Sequence, residues 1–252
     1  MSLYAQELQA RFAGRAYRYF EQTASTNDRA RAWINEDPPA PHGAFVVADE
    51  QTAGRGRLGR TWETPPGSAL AVSFVLHPPQ KHIPQITMLG AVAVLESLER
   101  VGATDVAIKW PNDVLLNGLK VCGILTESEW KGSQLRGVIL GIGLNVRVDF
   151  TGTPLEGRAV SVETALRRSV HRSDLLAHLV ENLDRWSAKL GTRDLYETWF
   201  ERLKTLGETV TVTAGEVRYE GIAVDARPDG ALIVQTADGK RRAVYGGEVT
   251  TA

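Results

Sequence analysis

Cysteine is almost missing from this chain: Cys122 is the single one in 252 residues. No intramolecular disulfide can therefore staple the fold, and a reducing, cytoplasmic setting is the expectation. Excess positive charge is missing too. A net charge of −1 leaves no broad basic surface for neutralising phosphates, so no nucleic-acid partner is expected. Residues 1–18 hold Gln, Glu and several Arg but no apolar run, and no stretch reaches the roughly 20 apolar residues of a membrane helix. Neither a signal peptide nor a membrane association is expected. The five histidines (His42, His77, His82, His171, His178) are scattered without metal-ligand spacing, so no metal ligand set can be named. With 43% hydrophobic and 23% charged residues, the chain reads as a soluble globular protein with a substantial core.

Periodicity and turn signals divide the rest. Ser25-Thr26-Asn27-Asp28 followed by residues 29–34 reads as a capped helix. Phe45 to Ala48 reads as a buried strand ending in Asp49-Glu50-Gln51, and Ala69 to Leu76 as another. Ile86 to Val101, apolar on most sides, predicts a buried helix. Val106–Lys109, Val114–Leu116, Leu119–Thr126 and Val138–Val146 read as strands. Asn117-Gly118 between two of them signals a type I′ hairpin, because both central residues need positive φ. Ser173–Leu190 and Thr192–Leu203 read as helices. After Gly207 the pattern turns to short strands (Val210–Val212, Val217–Val224, Ala231–Gln235, Arg242–Tyr245) with Asp229-Gly230 and Asp238-Gly239 turns. This predicts a small SH3-like barrel, with domains at 1–206 and 207–252.

Two clusters carry chemistry. Gly54-Arg55-Gly56-Arg57-Leu58-Gly59 satisfies G-x-G-x-x-G, but the dinucleotide fingerprint requires a helix starting inside the motif. Trp62, Pro65, Pro66 and Gly67 prevent one, so the Rossmann reading fails. What remains is a cationic loop with three glycines and three arginines in seven residues. Its backbone can approach a ligand closely, and Arg55, Arg57 and Arg60 offer planar forks of donors to anions. In the second cluster, Pro111 is expected to hold Trp110 extended, so that Asn112 and Asp113 sit at a strand-end corner. The hairpin then returns Lys120 toward them. Cys122 lies in an apolar strand and reads as a buried small residue, not a nucleophile.

Together these segments resemble a known family. Ser25-Thr26-Asn27, Asp49-Glu50-Gln51-Thr52-Ala53-Gly54-Arg55-Gly56-Arg57, Lys109-Trp110-Pro111-Asn112-Asp113, Lys120-Val121-Cys122-Gly123-Ile124-Leu125 and Gly141-Ile142-Gly143-Leu144-Asn145 look like the successive motifs of biotin–protein ligases, in order and at similar spacings. Gly246-Gly247-Glu248 resembles the end of that family's small barrel. The resemblance implies an α/β mixed (α+β) catalytic domain, similar to class II aminoacyl-tRNA synthetases, followed by the barrel. It implies ATP and biotin as substrates with Mg2+, and a biotin carboxyl carrier protein as acceptor.

By the same resemblance, Ser25, Thr26, Asn27 and Gln51 would bind the biotin head group, with Arg55, Gly56, Arg57, Lys120 and Gly123 completing the biotin site. Arg55, Arg57, Arg60, Trp62, Asn112, Lys120 and Asn145 would meet ATP or the adenylate. Lys120, Arg57 and Asp113 would be catalytic, with Asp113 orienting the incoming amine or helping to hold magnesium. Helix capping is an alternative task for Ser25 and Thr26, and a core position an alternative for Trp62. The family often has a further basic residue where Leu58 stands, which weakens the phosphate-binding case there. Two rivals are lipoate or octanoyl ligases, which share the catalytic fold, and biotin-responsive repressors, whose N-terminal helix-turn-helix would not fit in the 24 residues before Ser25. A monomer or weak homodimer is expected.

Overall fold

The computed structural model describes residues 3–214 and 217–251. Helix α1 (Leu3–Arg11), strand β1 (Tyr17–Thr23), α2 (Thr26–Ile34), β2 (Phe45–Gln51) and β3 (Ala69–Leu76) lead to α3 (Ile86–Arg100). Then come β4 (Val106–Lys109), β5 (Asp113–Leu116), β6 (Leu119–Lys131) and β7 (Gln134–Asn145), followed by α4 (Val162–Leu166), α5 (Arg172–Ser187) and α6 (Arg193–Glu201). The C-terminal part is all strand: β8 (Thr209–Ala214), β9 (Val217–Ala226), β10 (Leu232–Thr236), β11 (Arg241–Val244) and β12 (Glu248–Thr251).

The first seven strands form one mixed sheet in the order β1-β2-β3-β7-β6-β5-β4, with β1 parallel to β2 and the other pairings antiparallel. Its two faces are chemically unequal because side chains alternate along each strand. Leu70, Val72, Phe74 and Leu76 of β3 and Val138, Leu140, Ile142 and Leu144 of β7 join the main core with α3 and α5. The opposite face carries α2, where Ala30, Trp33 and Ile34 pack on Val46, Val75 and Ile139. Beyond that contact the α2 face is built of small residues: Ala69, Ala71 and Ser73 on β3, Gly141 and Gly143 on β7. The last five strands form a separate antiparallel sheet, β11-β10-β9-β8-β12. It is anchored by the Trp110 indole, which donates to the Gly230 carbonyl at 2.9 Å, and by the Tyr196 hydroxyl, which donates to the Ala226 carbonyl at 2.8 Å.

The sequence expectations match most elements to within a few residues; α1, β1, α4 and β12 were not anticipated. The Asn117-Gly118 turn has positive φ at both residues, 52° and 77°, as a type I′ turn requires. Two local readings need correction. Ser25 is the N-cap of α2 by backbone conformation, yet its side chain makes no capping hydrogen bond; Gln51, from the end of β2, accepts from the Thr26 amide at 2.9 Å instead. Residues 110–112 form a turn with a cis Trp110–Pro111 peptide, where an extended approach was expected.

Candidate active site

A cleft of about 940 Å³ opens on the small-residue face of the large sheet. Every site residue expected from the sequence lines it: Ser25, Thr26, Asn27, Gln51, Arg55, Gly56, Arg57, Arg60, Trp62, Asn112, Asp113, Lys120, Gly123 and Asn145. The cleft exists because the sheet is bare there. A Cβ at Gly123 would lie 3.0 Å from the Trp62 ring, one at Gly143 would overlap the same indole, and one at Gly141 would overlap the Asn27 amide. The glycines thus leave a flat slot one ring thick. The Trp62 indole N–H is buried and meets no acceptor among the described residues.

One end of the slot is a buried polar pocket. Ser25, Thr26 and Asn27 are each under 5% exposed, because α2 begins directly over β3. Gln51 accepts the Thr26 amide and donates to Thr64 Oγ1 at 3.2 Å. Asn27 Nδ2 donates to Glu127 Oε2 at 2.6 Å. Ser73 Oγ lies 2.7 Å from Thr26 Oγ1 and 2.6 Å from Asn27 Oδ1. Buried polar groups so densely paired specify a geometry. Ser73 and Glu127 were missed in the sequence because only the strand register brings them under α2, and Thr64 because it reaches Gln51 through an isolated bridge.

At the other end stands Lys120. Its ammonium is 2.7 Å from Asp113 Oδ1 and 5.7 Å from the centre of the Trp62 ring. The simple hairpin expected from the sequence would leave Lys120 and Gly123, three residues apart, on opposite faces. A register shift between Val114 and Leu115 intervenes: Cys122 pairs with Val114 and Lys120 with Leu115. Such a bulge reverses the alternation, so Val121 and Cys122 both enter the core while Lys120 and Gly123 share the cleft face. Burial pushes the Cys122 thiol pKa up, which agrees with a structural residue. Lys120 is also tied to the segment bordering the cleft, its amide donating to the Arg158 carbonyl at 3.1 Å and its carbonyl accepting from Val160 at 3.0 Å.

The glycine–arginine loop spans the mouth. An isolated bridge pairs Arg55 with Thr61, the Gly56 amide donates to the Arg60 carbonyl, and residues 57–59 make a short 3-10 turn. Arg57 points inward: one guanidinium N–H donates to Asn112 Oδ1 at 3.0 Å, and Asn112 Nδ2 donates to the Ile124 carbonyl at 2.9 Å. Burial lowers the Arg57 pKa, partly offset by the Asp113 carboxylate. Arg55 behaves differently. Its guanidinium forks onto Asp28 at 2.7 and 2.6 Å, which raises its own pKa and lowers that of Asp28. The side chain expected over the ligand is therefore engaged by α2. Leu58, at φ 57°, is 69% exposed at the loop tip. Asn145, 4% exposed at the end of β7, donates weakly to the Val160 carbonyl at 3.4 Å.

Cations facing a deep slot, with a buried urea-sized polar pocket behind it, suit a carboxylate that must meet a phosphate. Among the described residues no group of three or more His, Cys, Asp or Glu could hold a metal ion. No helix among them is long and apolar enough to cross a membrane.

Comparison with known proteins agrees with this chemistry. The profile of the biotin/lipoate A/B protein ligase family matches residues 19–145, and that of the biotin protein ligase C-terminal domain matches residues 205–250. The chain is 35% identical to the biotin–[acetyl-CoA-carboxylase] ligase of Paracoccus denitrificans over 234 residues, covering 87% of this chain and 94% of that protein. It is 32% identical to the bifunctional ligase/repressor BirA of Bacillus subtilis over 243 residues, 92% of this chain and 72% of that protein. The solved biotin protein ligase of Aquifex aeolicus, in complex with biotin and ATP, superposes with a TM-score of 0.79 at 25% identity, covering 94% of this chain and 98% of that one. With matching profiles over both of its sheets, the chain belongs to the biotin/lipoate A/B protein ligase family, and within it to the biotin–protein ligases.

Proposed function

We infer that this protein activates biotin with ATP to biotinyl-5'-AMP and transfers the biotinyl group to a lysine of a biotin carboxyl carrier protein. One observation supports this reading most: a single cleft joins a buried, fully paired polar pocket (Thr26, Asn27, Gln51) to the Lys120 and Arg57 cations. The pocket suits the cyclic urea, whose N–H and C=O groups need buried partners. The glycine-floored cleft, with no side chain rising from Gly123 or Gly143, suits a compact cis-fused bicycle.

In the first step a biotin carboxylate oxygen attacks the α-phosphorus, the bond to the β,γ-phosphates breaks, and pyrophosphate leaves. Lys120 and Arg57 offset the charge gathering between the two anions. In the second step the carrier amine attacks the acyl carbon, the C–N bond forms, and AMP leaves. Asp113, already paired with Lys120, is the carboxylate at hand to orient that amine. Asn112, Asn145, Arg60 and Trp62 flank the nucleotide. Magnesium would arrive on ATP, with phosphate oxygens and water as most of its ligands; of the carboxylates lining the cleft (Glu63, Asp113, Asp149 and Glu208), Asp113, beside Lys120, would be placed to add to them. The residues 1–206 would form the catalytic domain and 207–252 the SH3-like domain, in a cytoplasmic monomer or weak dimer.

The test is incubation with ATP, magnesium, biotin and a biotin carboxyl carrier domain, followed by the mass of the carrier. One biotinyl addition, lost when any component is omitted, is expected. An unchanged carrier refutes the reading, and lipoyl addition in place of biotinyl selects the sister activity.

A further inference from the structure

The hydroxyl of Ser73 is fully buried and lies in contact with two of the pocket's polar side chains at once. A serine carries one proton, so both contacts cannot be donated. The assignment follows from the acceptor at the far side. Glu127 presents a carboxylate to Asn27 at 2.6 Å, and an ionised carboxylate only accepts, so the Asn27 amide must turn its nitrogen that way. Asn27 Oδ1 then faces Ser73, 2.6 Å distant, and an amide oxygen cannot donate. The Ser73 proton is committed to Asn27. The 2.7 Å contact with Thr26 therefore is not donated by Ser73, and the threonine's own proton has two inward acceptors, Ser73 Oγ and, at 3.0 Å, Gln51 Oε1. Gln51 Oε1 thus receives both the Thr26 backbone amide, at 2.9 Å, and the Thr26 hydroxyl. The Thr26 hydroxyl, its proton used inward, offers only lone pairs to the cleft.

We propose that Ser73 is a positioning residue that sets the polarity of the pocket: it locks the Asn27 amide against Glu127 and, together with Gln51 Oε1, holds the Thr26 proton inward so that Thr26 Oγ1 faces a ligand N–H as an acceptor. The contacts run from Thr26 on α2 to Ser73 on β3, back to Asn27 on α2 and on to Glu127 on β6. This role rests on the biotin reading, since the ligand donor it selects is an N–H of the cyclic urea. Ser73 itself is 0% exposed and acts only through Thr26 and Asn27. Its neighbours leave room for the role: the register partner of Ser73 on β7 is Gly141, where any Cβ would overlap the Asn27 amide.

The test measures biotin-dependent pyrophosphate exchange for the full-length protein, Ser73→Ala and Ser73→Thr, with KM for biotin and ATP taken separately. Loss of one buried hydrogen-bonding group predicts a KM for biotin raised about tenfold in Ser73→Ala. The KM for ATP should stay within about twofold. Desthiobiotin, which keeps the urea but lacks the sulfur ring, should lose the same factor as biotin. Ser73→Thr keeps the hydroxyl and should recover most of the loss. An unchanged KM for biotin in a folded Ser73→Ala protein overturns the proposal. Equal rises for biotin and ATP, or failure of Ser73→Thr to recover while its melting temperature is normal, make Ser73 merely structural and overturn it too. Absence of exchange in the unsubstituted protein would strike the parent reading itself and is thereby told apart.

Discussion

Replacing Lys120 with alanine separates what this side chain does for folding from what it does for chemistry. In the resting protein its ammonium sits 2.7 Å from Asp113, with the two side chains 35% and 24% exposed. A pair that open to water is screened, and its loss costs at most about 1 kcal/mol. For a chain of this size that lowers the melting temperature by roughly 2–4 °C. The second loss falls on the transition state, where the ammonium faces charge building between carboxylate and α-phosphate. Removing one such preorganised cation costs on the order of 3 kcal/mol, or about a hundredfold in rate. The expected outcome is thus a nearly intact fold with adenylation almost gone. Biotin-dependent pyrophosphate exchange reads the chemistry without a carrier, and calorimetry reads the fold. Exchange within about threefold of the unsubstituted enzyme would refute the role assigned to Lys120. A melting temperature lower by more than about 10 °C would show that the bulged strand itself depends on this residue.

Arg57→Gly removes the hydrogen bond to Asn112 and should leave adenylate formation measurable while speeding its escape; streptavidin blotting should show heavier labelling of a bystander protein, and unchanged labelling would show that the loop across the cleft mouth does not retain the adenylate. Asp28→Asn breaks the fork to Arg55. Because both groups are well over a third exposed, the cost is about 1 kcal/mol at most, so stopped-flow release of the adenylate should quicken up to about fivefold, less so in high salt. The pH dependence of that fork has a definite sign. Asp28 titrates below the ordinary carboxylate value, chiefly through its hydrogen bonds from Arg55, so the contribution is fully present above that value and disappears only as pH falls through the lowered one; release should be flat between about pH 5 and 8, and a change inside that window would point to another group. Gly143→Ala should displace Trp62 from the slot and raise KM for biotin at least tenfold; unperturbed tryptophan fluorescence would contradict the packing described.

Much of this was readable in the residues themselves. The strand Ala69–Leu76 and the hairpin turn at Asn117-Gly118 announce themselves because their signals are local: an unbroken apolar run and a pair able to take positive φ. Strand β1, Tyr17-Arg18-Tyr19-Phe20-Glu21-Gln22-Thr23, was invisible because an edge strand is half wet and its composition decides nothing. Lys120 lines the cleft, but the geometric reason the sequence offered for that was incomplete; the shifted register at Val114/Leu115 depends on how two strands pair, which no single segment encodes. Ser73 shows the same limit. A serine inside an apolar strand carries no signal until the fold lays Thr26 and Asn27 on top of it, and Arg55 looked like a ligand-facing arginine until α2 supplied Asp28.

The bare patch at Gly123, Gly141 and Gly143 has a consequence for how this protein can vary. Ordinarily a core position that loses its shape loses the fold with it, since neighbours collapse or clash and stability falls. Here the space above Gly123 and Gly143 is filled by Trp62 and by whatever the cleft admits, whereas that above Gly141 is filled by the Asn27 amide of α2. A side chain introduced at Gly123 or Gly143 consumes ligand volume first and disturbs the seven-stranded sheet second. In a library scored in parallel for solubility and for carrier modification, these positions should stand apart as soluble but silent, and graded replacements by Ala, Ser and Val should narrow the range of accepted biotin analogues by ring size before they abolish turnover.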